Sequence, residues 1–178
     1  QSDYKLIADN LLDFTHLAFV HEKTIGSAGL GNERPTSEQK DFGVQIVNFN
    51  RNDEPAPHVK EFGGFTGKVD RWTINDWHYR GNLLVMDAGS MPAGSDGPDG
   101  DRAGAIQFRH LSALTPETKL TCHYHFAQSQ SFAVDNDAVT QGIYEMICVA
   151  FEEDRDIIEA QQRIINLDPD RPMMVAPF

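Results

Sequence analysis

Cysteine is nearly missing from this 178-residue chain: Cys122 and Cys148 are the whole supply, and neither stands in a CxxC pair or beside a second cysteine. That excludes a disulfide framework and suits a reducing, cytoplasmic setting. Basic residues are also scarce. With 15 Lys and Arg against 27 Asp and Glu the formal net charge is −12, which disfavours attraction to nucleic acid or an anionic membrane and leaves a small molecule or a protein as the expected partner. No run of eighteen apolar residues could span a bilayer, and the amino end lacks the charged-then-apolar pattern of a signal peptide. There is no internal repeat. What remains, 40% hydrophobic residues, is enough for one sizeable core and too little for two, so one domain is expected over residues 1–178. The chain opens on Gln1 rather than Met, and a longer parent protein is expected.

An apolar helical segment at the amino end gives way at Thr24 to a polar stretch, "TIGSAGLGNERPTSEQKD", with neither helical nor strand periodicity, and this reads as a long loop. Five β-rich runs follow: "FGVQIVNF", "GKVDRWTI", "NLLVMDAG", "AIQFRHLSAL" and "KLTCHYHFA". Turn signals such as "NRNDEPAP" and "TPET" separate them, so an antiparallel sheet of at least five strands is expected. The Gly/Pro/Asp-rich "MPAGSDGPDGDRAG" between two of them reads as a mobile hairpin connection. From about Asp135 to Asn166 the pattern turns helical, with "DND" offering N-caps. The fold class is α+β: a short helix, a sheet, and one long carboxyl-terminal helix.

Two places break the apolar logic. In "DNLLDFTHLAFVH", residues 9 to 21, Asn10, Asp13, His16 and His21 interrupt what is otherwise a buried helix. In the long helix, Ile143, Ile147, Ala150, Ile157, Ile158 and Gln161 fall on one stripe at about 100° per residue, and Asp154 lies near its middle. A carboxylate aimed at a core is costly unless paired, hydrogen-bonded or metal-bound. The plain reading is an apolar face that ends before Asp154. The alternative is a cationic partner, which two imidazoles holding a metal could supply as a two-histidine, one-carboxylate triad. Spacing resists it. Five residues on a regular helix separate the His16 and His21 side chains by roughly 140°, so both reach one ion only through a π-type bulge or a helix end that folds His21 back.

"NLLDFTHLAFVH" resembles the Asn-Leu-Leu-Asp, His, four residues, His motif of Rieske non-haem iron oxygenases, in the branch of vanillate O-demethylase oxygenase components and dicamba monooxygenase. The likeness continues in order through "DRWTINDWHYRGNLLVMDAGSMPAG", "LTPETKLTCHYHFA" and "EEDRDIIEAQQ". It implies a helix-grip (START-like) domain, a curved antiparallel sheet around the long carboxyl-terminal helix. It further implies His16, His21 and Asp154 as ligands of a mononuclear Fe2+, and Asp13 as the acid linking a ligand histidine to a Rieske cluster in a neighbouring subunit. Asn10 matches an asparagine near the iron, its carbonyl orienting His21 or a water. Helix capping is the plain account of both Asn10 and Asp13. A Rieske [2Fe-2S] cluster takes two cysteines and two histidines, commonly as Cys-x-His and Cys-x-x-His pairs, and this chain has neither. The cluster is therefore expected in an amino-terminal domain absent from the chain, which should be inactive without it, and "RPMMVAPF" stops before the family's last helix.

The implied activity is oxygenation of an aromatic substrate with dioxygen, as monooxygenation or O-demethylation. A reductase or ferredoxin would supply electrons, and the full-length protein is expected to be a homotrimer. For the pocket, strand alternation puts Ile106, Phe108, His110, Ser112 and Leu114 on one face. Ser112 stands where several relatives have a substrate-contacting histidine. His110 and Phe108 are then the substrate-binding candidates beside it, although His110 equally reads as a hydrogen-bonded strand-edge residue. In "KLTCHYHFA", His123 and His125 fall on the face opposite Cys122, Tyr124 and Phe126 and read as surface groups. Two other classes stay open: a metal-free hydrophobic-ligand carrier, and a metal-dependent hydrolase using the same three ligands.

Overall fold

The computed structural model describes residues 1–26 and 34–170. Helix α1 (Tyr4–Leu12) starts at Asp3, whose carboxylate accepts from Lys5 N–H at 3.0 Å, and is followed by the single turn α2 (Leu17–Val20). Strands β1 (Thr36–Lys40) and β2 (Gly43–Asp53) lead to helix α3 (Pro57–Gly63). Then come β3 (Val69–His78), β4 (Leu83–Pro92), β5 (Ile106–Thr118) and β6 (Thr121–Gln130), and helix α4 (Asp137–Leu167) ends the described chain. The six strands form one antiparallel sheet in sequence order, every neighbour joined to the next. With α4 packed along it, this is the expected α+β helix-grip arrangement.

Alternation along β5 decides which face is buried. Ile106, Phe108, His110, Ser112 and Leu114 are buried, while Arg109 and Leu111 are exposed. On β6, His123 and His125 are exposed opposite the half-buried Tyr124 and Phe126. Ala56, Val59, Ile106, Phe108, Ile143 and Ile147 form the core that joins α3, the sheet and α4.

Five local expectations need correction. The long loop contains strand β1, paired from Thr36↔Val47 to Lys40↔Gly43. As a largely exposed edge strand with a partner on one side only, it buries no face and carries no apolar alternation. Residues 27–33 of that loop lie outside the described residues, as do residues 171–178, which include the "RPMMVAPF" end. Within the stretch read as turns between two strands lies helix α3. Pro57 opens it with a preset φ, and Gly64 closes it in the left-handed region at φ 70°. "TPET" is strand rather than turn, since Pro116 pairs with Cys122 and Thr118 with Thr121.

The connection after β4 is anchored rather than loose. The Asp70 carboxylate accepts from the backbone N–H of Gly94 and Ser95, both at 2.8 Å, and Arg102 Nη1 donates to Asp87 at 2.8 Å. Gly97 there has φ +65°, and a Cβ on it would lie 2.3 Å from the Phe49 ring. Only glycine fits. On α4 the buried stripe runs Ile143, Ile147, Ala150, Asp154, Ile158, Gln162. Ile157 and Gln161 are exposed instead, because the stripe advances by three and four residues and reaches positions 158 and 162 after Asp154.

Candidate metal centre

The histidines come together because the first helix stops between them. Its last carbonyls, of Asp9 and Asn10, receive the Asp13 N–H, and Asp13 itself leaves the helix at φ −90°, ψ 118°. The Asp13 Oδ1 then accepts from both Thr15 N–H and Thr15 Oγ1–H at 2.7 Å, a local turn that competes with helix continuation. His16 caps the start of the one-turn α2 and His21 its end. Of the two expected routes, bulge or helix end, the helix end is the one seen, and the rings lie edge to face, 5.2 Å between centroids.

From the opposite side α4 delivers Asp154, which is 9% exposed. One ligand atom from each of His16, His21 and Asp154 can be chosen so that all three lie within 4.8 Å of one another. Asp154 Oδ1 is the point of convergence. His21 Nε2 is 3.0 Å away, His16 Nε2 3.5 Å, and the Asn10 amide donates to it at 3.1 Å. Asn10 thus reaches Asp154 through its NH2.

The other ring nitrogens each face a second carboxylate. His21 Nδ1 is 2.9 Å from Glu153 Oε2, and His16 Nδ1 is 3.7 Å from Asp13 Oδ2. Protonation at Nδ1 leaves both Nε2 lone pairs directed at the convergence point, the tautomer a metal-ligating histidine adopts with a carboxylate behind it. His21 is fully buried. Burial opposes charge on its ring, but hydrogen bonds and charges from Asp154 and Glu153 outweigh that and raise its pKa, so the pocket favours positive charge there. Burial likewise pushes the Asp13 carboxyl up, and His16 with the Thr15 hydrogen bonds overcomes it, holding it at about 2. The donor set fits a divalent transition metal.

The profile of the vanillate O-demethylase oxygenase C-terminal domain family matches residues 1–177. This chain belongs to that family. The toluene-4-sulfonate monooxygenase iron-sulfur subunit of Comamonas testosteroni is 46% identical over 178 residues, covering 98% of this chain and 51% of the relative. A vanillate O-demethylase oxygenase subunit from a Pseudomonas strain is 29% identical, covering 97% of this chain and 54% of the relative. Crystalline dicamba monooxygenase bound to 3,6-dichlorosalicylic acid superposes with a TM-score of 0.85 at 24% identity, over 98% of this chain and 51% of the other, and shares its fold. The chain thus spans about half the length of the curated relatives it matches.

In this oxygenase C-terminal domain a cavity of about 150 Å³ adjoins the triad. Phe108 and His110 line it with Leu84, Met86 and Phe151. Ser112 is fully buried beside His110. His110 Nε2 lies 2.9 Å from Ser112 Oγ, which lies 2.8 Å from the Tyr124 hydroxyl, and His110 Nδ1 lies 3.1 Å from Gln128 Oε1. Burial lowers the His110 pKa against the Gln128 hydrogen bond, which keeps the ring neutral at neutral pH. A second cavity, about 390 Å³, reaches Asp154 past Tyr124 from the α1 side and is lined by neither triad histidine.

Glu153 escaped sequence reading. The run Glu152, Glu153, Asp154 looks like a solvated acidic turn, and only the buried Nδ1 of His21 singles out its middle member. Arg71, within the quoted "DRWTIN" stretch but given no role there, and His58, which stands in no motif, also line the cavity. Among the described residues, no helix is long and apolar enough to cross a membrane, and both cysteines are free thiols.

Proposed function

We propose that residues 1–178 form the catalytic domain of a Rieske-type non-haem iron oxygenase that carries out monooxygenation or O-demethylation of an aromatic substrate with dioxygen. The observation that carries this reading is the convergence of two imidazole Nε2 atoms on Asp154 Oδ1 while both Nδ1 atoms face a second carboxylate. His16, His21 and Asp154 hold Fe2+, which when bound supplies an electron and open coordination positions for dioxygen. The chain's own residues do the rest. Glu153 and Asp13 set the histidine tautomers, Asn10 holds the Asp154 carboxylate by its amide, and Leu84, Met86, Phe108 and Phe151 exclude water and seat the ring. Neutral His110, its two ring nitrogens held by Gln128 and Ser112, contributes its ring to the wall. Electrons come from a Rieske [2Fe-2S] cluster on a separate amino-terminal domain, served by a reductase or ferredoxin, in a cytoplasmic homotrimer.

The test is anaerobic reconstitution of the full-length protein with Fe2+, followed by metal analysis and product assay with and without dioxygen and NADH. About one mononuclear iron per chain, with product only when both reactants are present, is expected. A preference for zinc, or product without dioxygen, would make it a hydrolase, and no metal at all would leave a carrier.

Asp13 gives a sharper result in the same protein. Asp13→Asn keeps the side chain's size and its turn with Thr15 but removes the charge facing His16. Iron content should stay at the wild-type level while NADH-driven turnover falls about 10- to 100-fold. Iron and turnover falling in parallel would show that Asp13 serves metal binding alone.

A further inference from the structure

The outer face of the sheet, turned away from α4 and the triad, carries ligand-type side chains of its own. His123 and His125 are two residues apart on β6 and therefore project from the same face. Both are exposed, while Tyr124 and Phe126 point inward. The two imidazoles lie nearly parallel, 22° between planes and 6.3 Å between centroids. Across from them on β5 stand small residues, paired as Thr115↔His123 and Ala113↔His125. Neither is large enough to cover a ring. Further along β5 the register with β6 shifts between Pro116 and Thr118 and skips Glu117. An irregularity of this kind re-aims a side chain, and the Glu117 carboxylate comes to 3.9 Å from His123 Nε2.

An ion pair between Glu117 and His123 accounts for those two groups and leaves out the second imidazole beside them. A shared cation accounts for all three. Two imidazole nitrogens and a carboxylate oxygen are a donor set for a borderline divalent metal, and zinc accepts them without imposing a geometry of its own. Alternate residues of a strand are roughly 6.5–7 Å apart along the backbone, so two rings that lean toward each other can place a nitrogen each at about 2.0–2.1 Å from one ion. The parallel rings must turn to do so. Turning is cheap here, because His123 and Glu117 have side chains 60% and 57% exposed and no packed neighbour has to give way. The net charge of −12 favours a cation at the surface.

We infer that His123, His125 and Glu117 form a second metal site, on the surface, which takes a Zn2+ ion and leaves the fourth position of the tetrahedron to water. The sheet separates it from His16, His21 and Asp154. Its ligands come from both β5 and β6, so the ion fastens edge strand β6 to its single neighbour in the sheet. The site stands whether or not the triad holds iron.

The test is calorimetric titration of the full-length protein with zinc chloride, after iron loading under nitrogen and in mildly alkaline buffer, since protons compete with the ion for imidazole. Gel filtration and a count of both metals follow. About one zinc per chain should enter this site with no loss of iron. His123→Gln and His125→Gln should each weaken that binding 10-fold or more, because disturbing even a group that merely orients a ligand costs about 10- to 100-fold. Glu117→Gln should weaken it as well. All three variants should keep wild-type iron, and zinc should raise the unfolding midpoint of the wild type more than that of either histidine variant.

Zinc binding of equal affinity in the wild type and both histidine variants overturns the proposal, as does no zinc binding at all. Zinc that enters only as iron leaves overturns it too, because the ion would then sit at the triad. Failure of the wild type to hold iron would instead strike the oxygenase reading, since the zinc lost on replacing His123 or His125 is counted independently of it.

Discussion

Asp154→Ala is expected to bring iron below roughly a tenth of the wild-type content and oxygenated product to background. Loss of a group that merely orients a ligand already costs about 10- to 100-fold in affinity or activity, and Asp154 is itself a ligand candidate and the only anion in the triad. Its Oδ1 is also the point that positions the other groups, with His21 Nε2 at 3.0 Å, Asn10 Nδ2 at 3.1 Å and His16 Nε2 at 3.5 Å. Alanine removes the anion and this common anchor together. Metal analysis after anaerobic loading, with circular dichroism to establish that the variant folds, decides the matter. Wild-type iron in a folded Asp154→Ala protein would mean that the metal sits elsewhere. Asp154→Asn, nearly isosteric, should lose iron as well, because the amide lacks the charge that a divalent ion needs there.

Acid should destabilise the fold through His58, and replacing that residue should remove the effect. His58 packs against the Phe108 ring, 5.7 Å between centroids. Its pKa is depressed to about 3, first by burial and then by the neighbouring Arg71 charge, with a hydrogen bond to the Thr24 backbone opposing. The folded state therefore keeps His58 neutral while the unfolded chain takes up a proton below about pH 6.5. Stability from this residue is fully present above pH 6.5 and is lost as pH falls toward 3, at about 1.4 kcal/mol per pH unit and about 5 kcal/mol in all. That compares with a total of about 5–15 kcal/mol for a typical domain. Denaturant unfolding of wild type and His58→Phe between pH 4 and 8 measures it. The variant's slope below pH 6 should be shallower by about one proton's worth, and parallel slopes would show that His58 protonates freely in the fold.

Much of this protein is legible in short stretches. The alternation of "AIQFRHLSAL" placed Phe108, His110 and Ser112 on the buried face of β5. The three-and-four spacing of α4 brought Asp154 to its core side, although that stripe continues through Ile158 and Gln162 rather than Ile157 and Gln161. Edge strand β1 and helix α3 stayed hidden for opposite reasons. The first buries no face and so has no pattern, whereas the second lies in a Pro- and Gly-bearing stretch where turn chemistry and helix boundaries use the same residues.

The sequence by itself determined that Asp154 would be an anomaly needing compensation, because helical periodicity is local and the cost of burying a carboxylate does not depend on what surrounds the helix. It also determined, through Asp13 and Thr15, that the first helix could stop before His16, since an Asx turn is made by near neighbours. Only the tertiary structure decided what meets there. His21 finds Glu153 from 132 positions away, and Arg71 reaches the wall of the same cavity as His16 because β3 and the α1–α2 break pack around it. Such pairings depend on how helices dock on a sheet, a sum of many weak apolar contacts along the whole chain, and no window of sequence contains it.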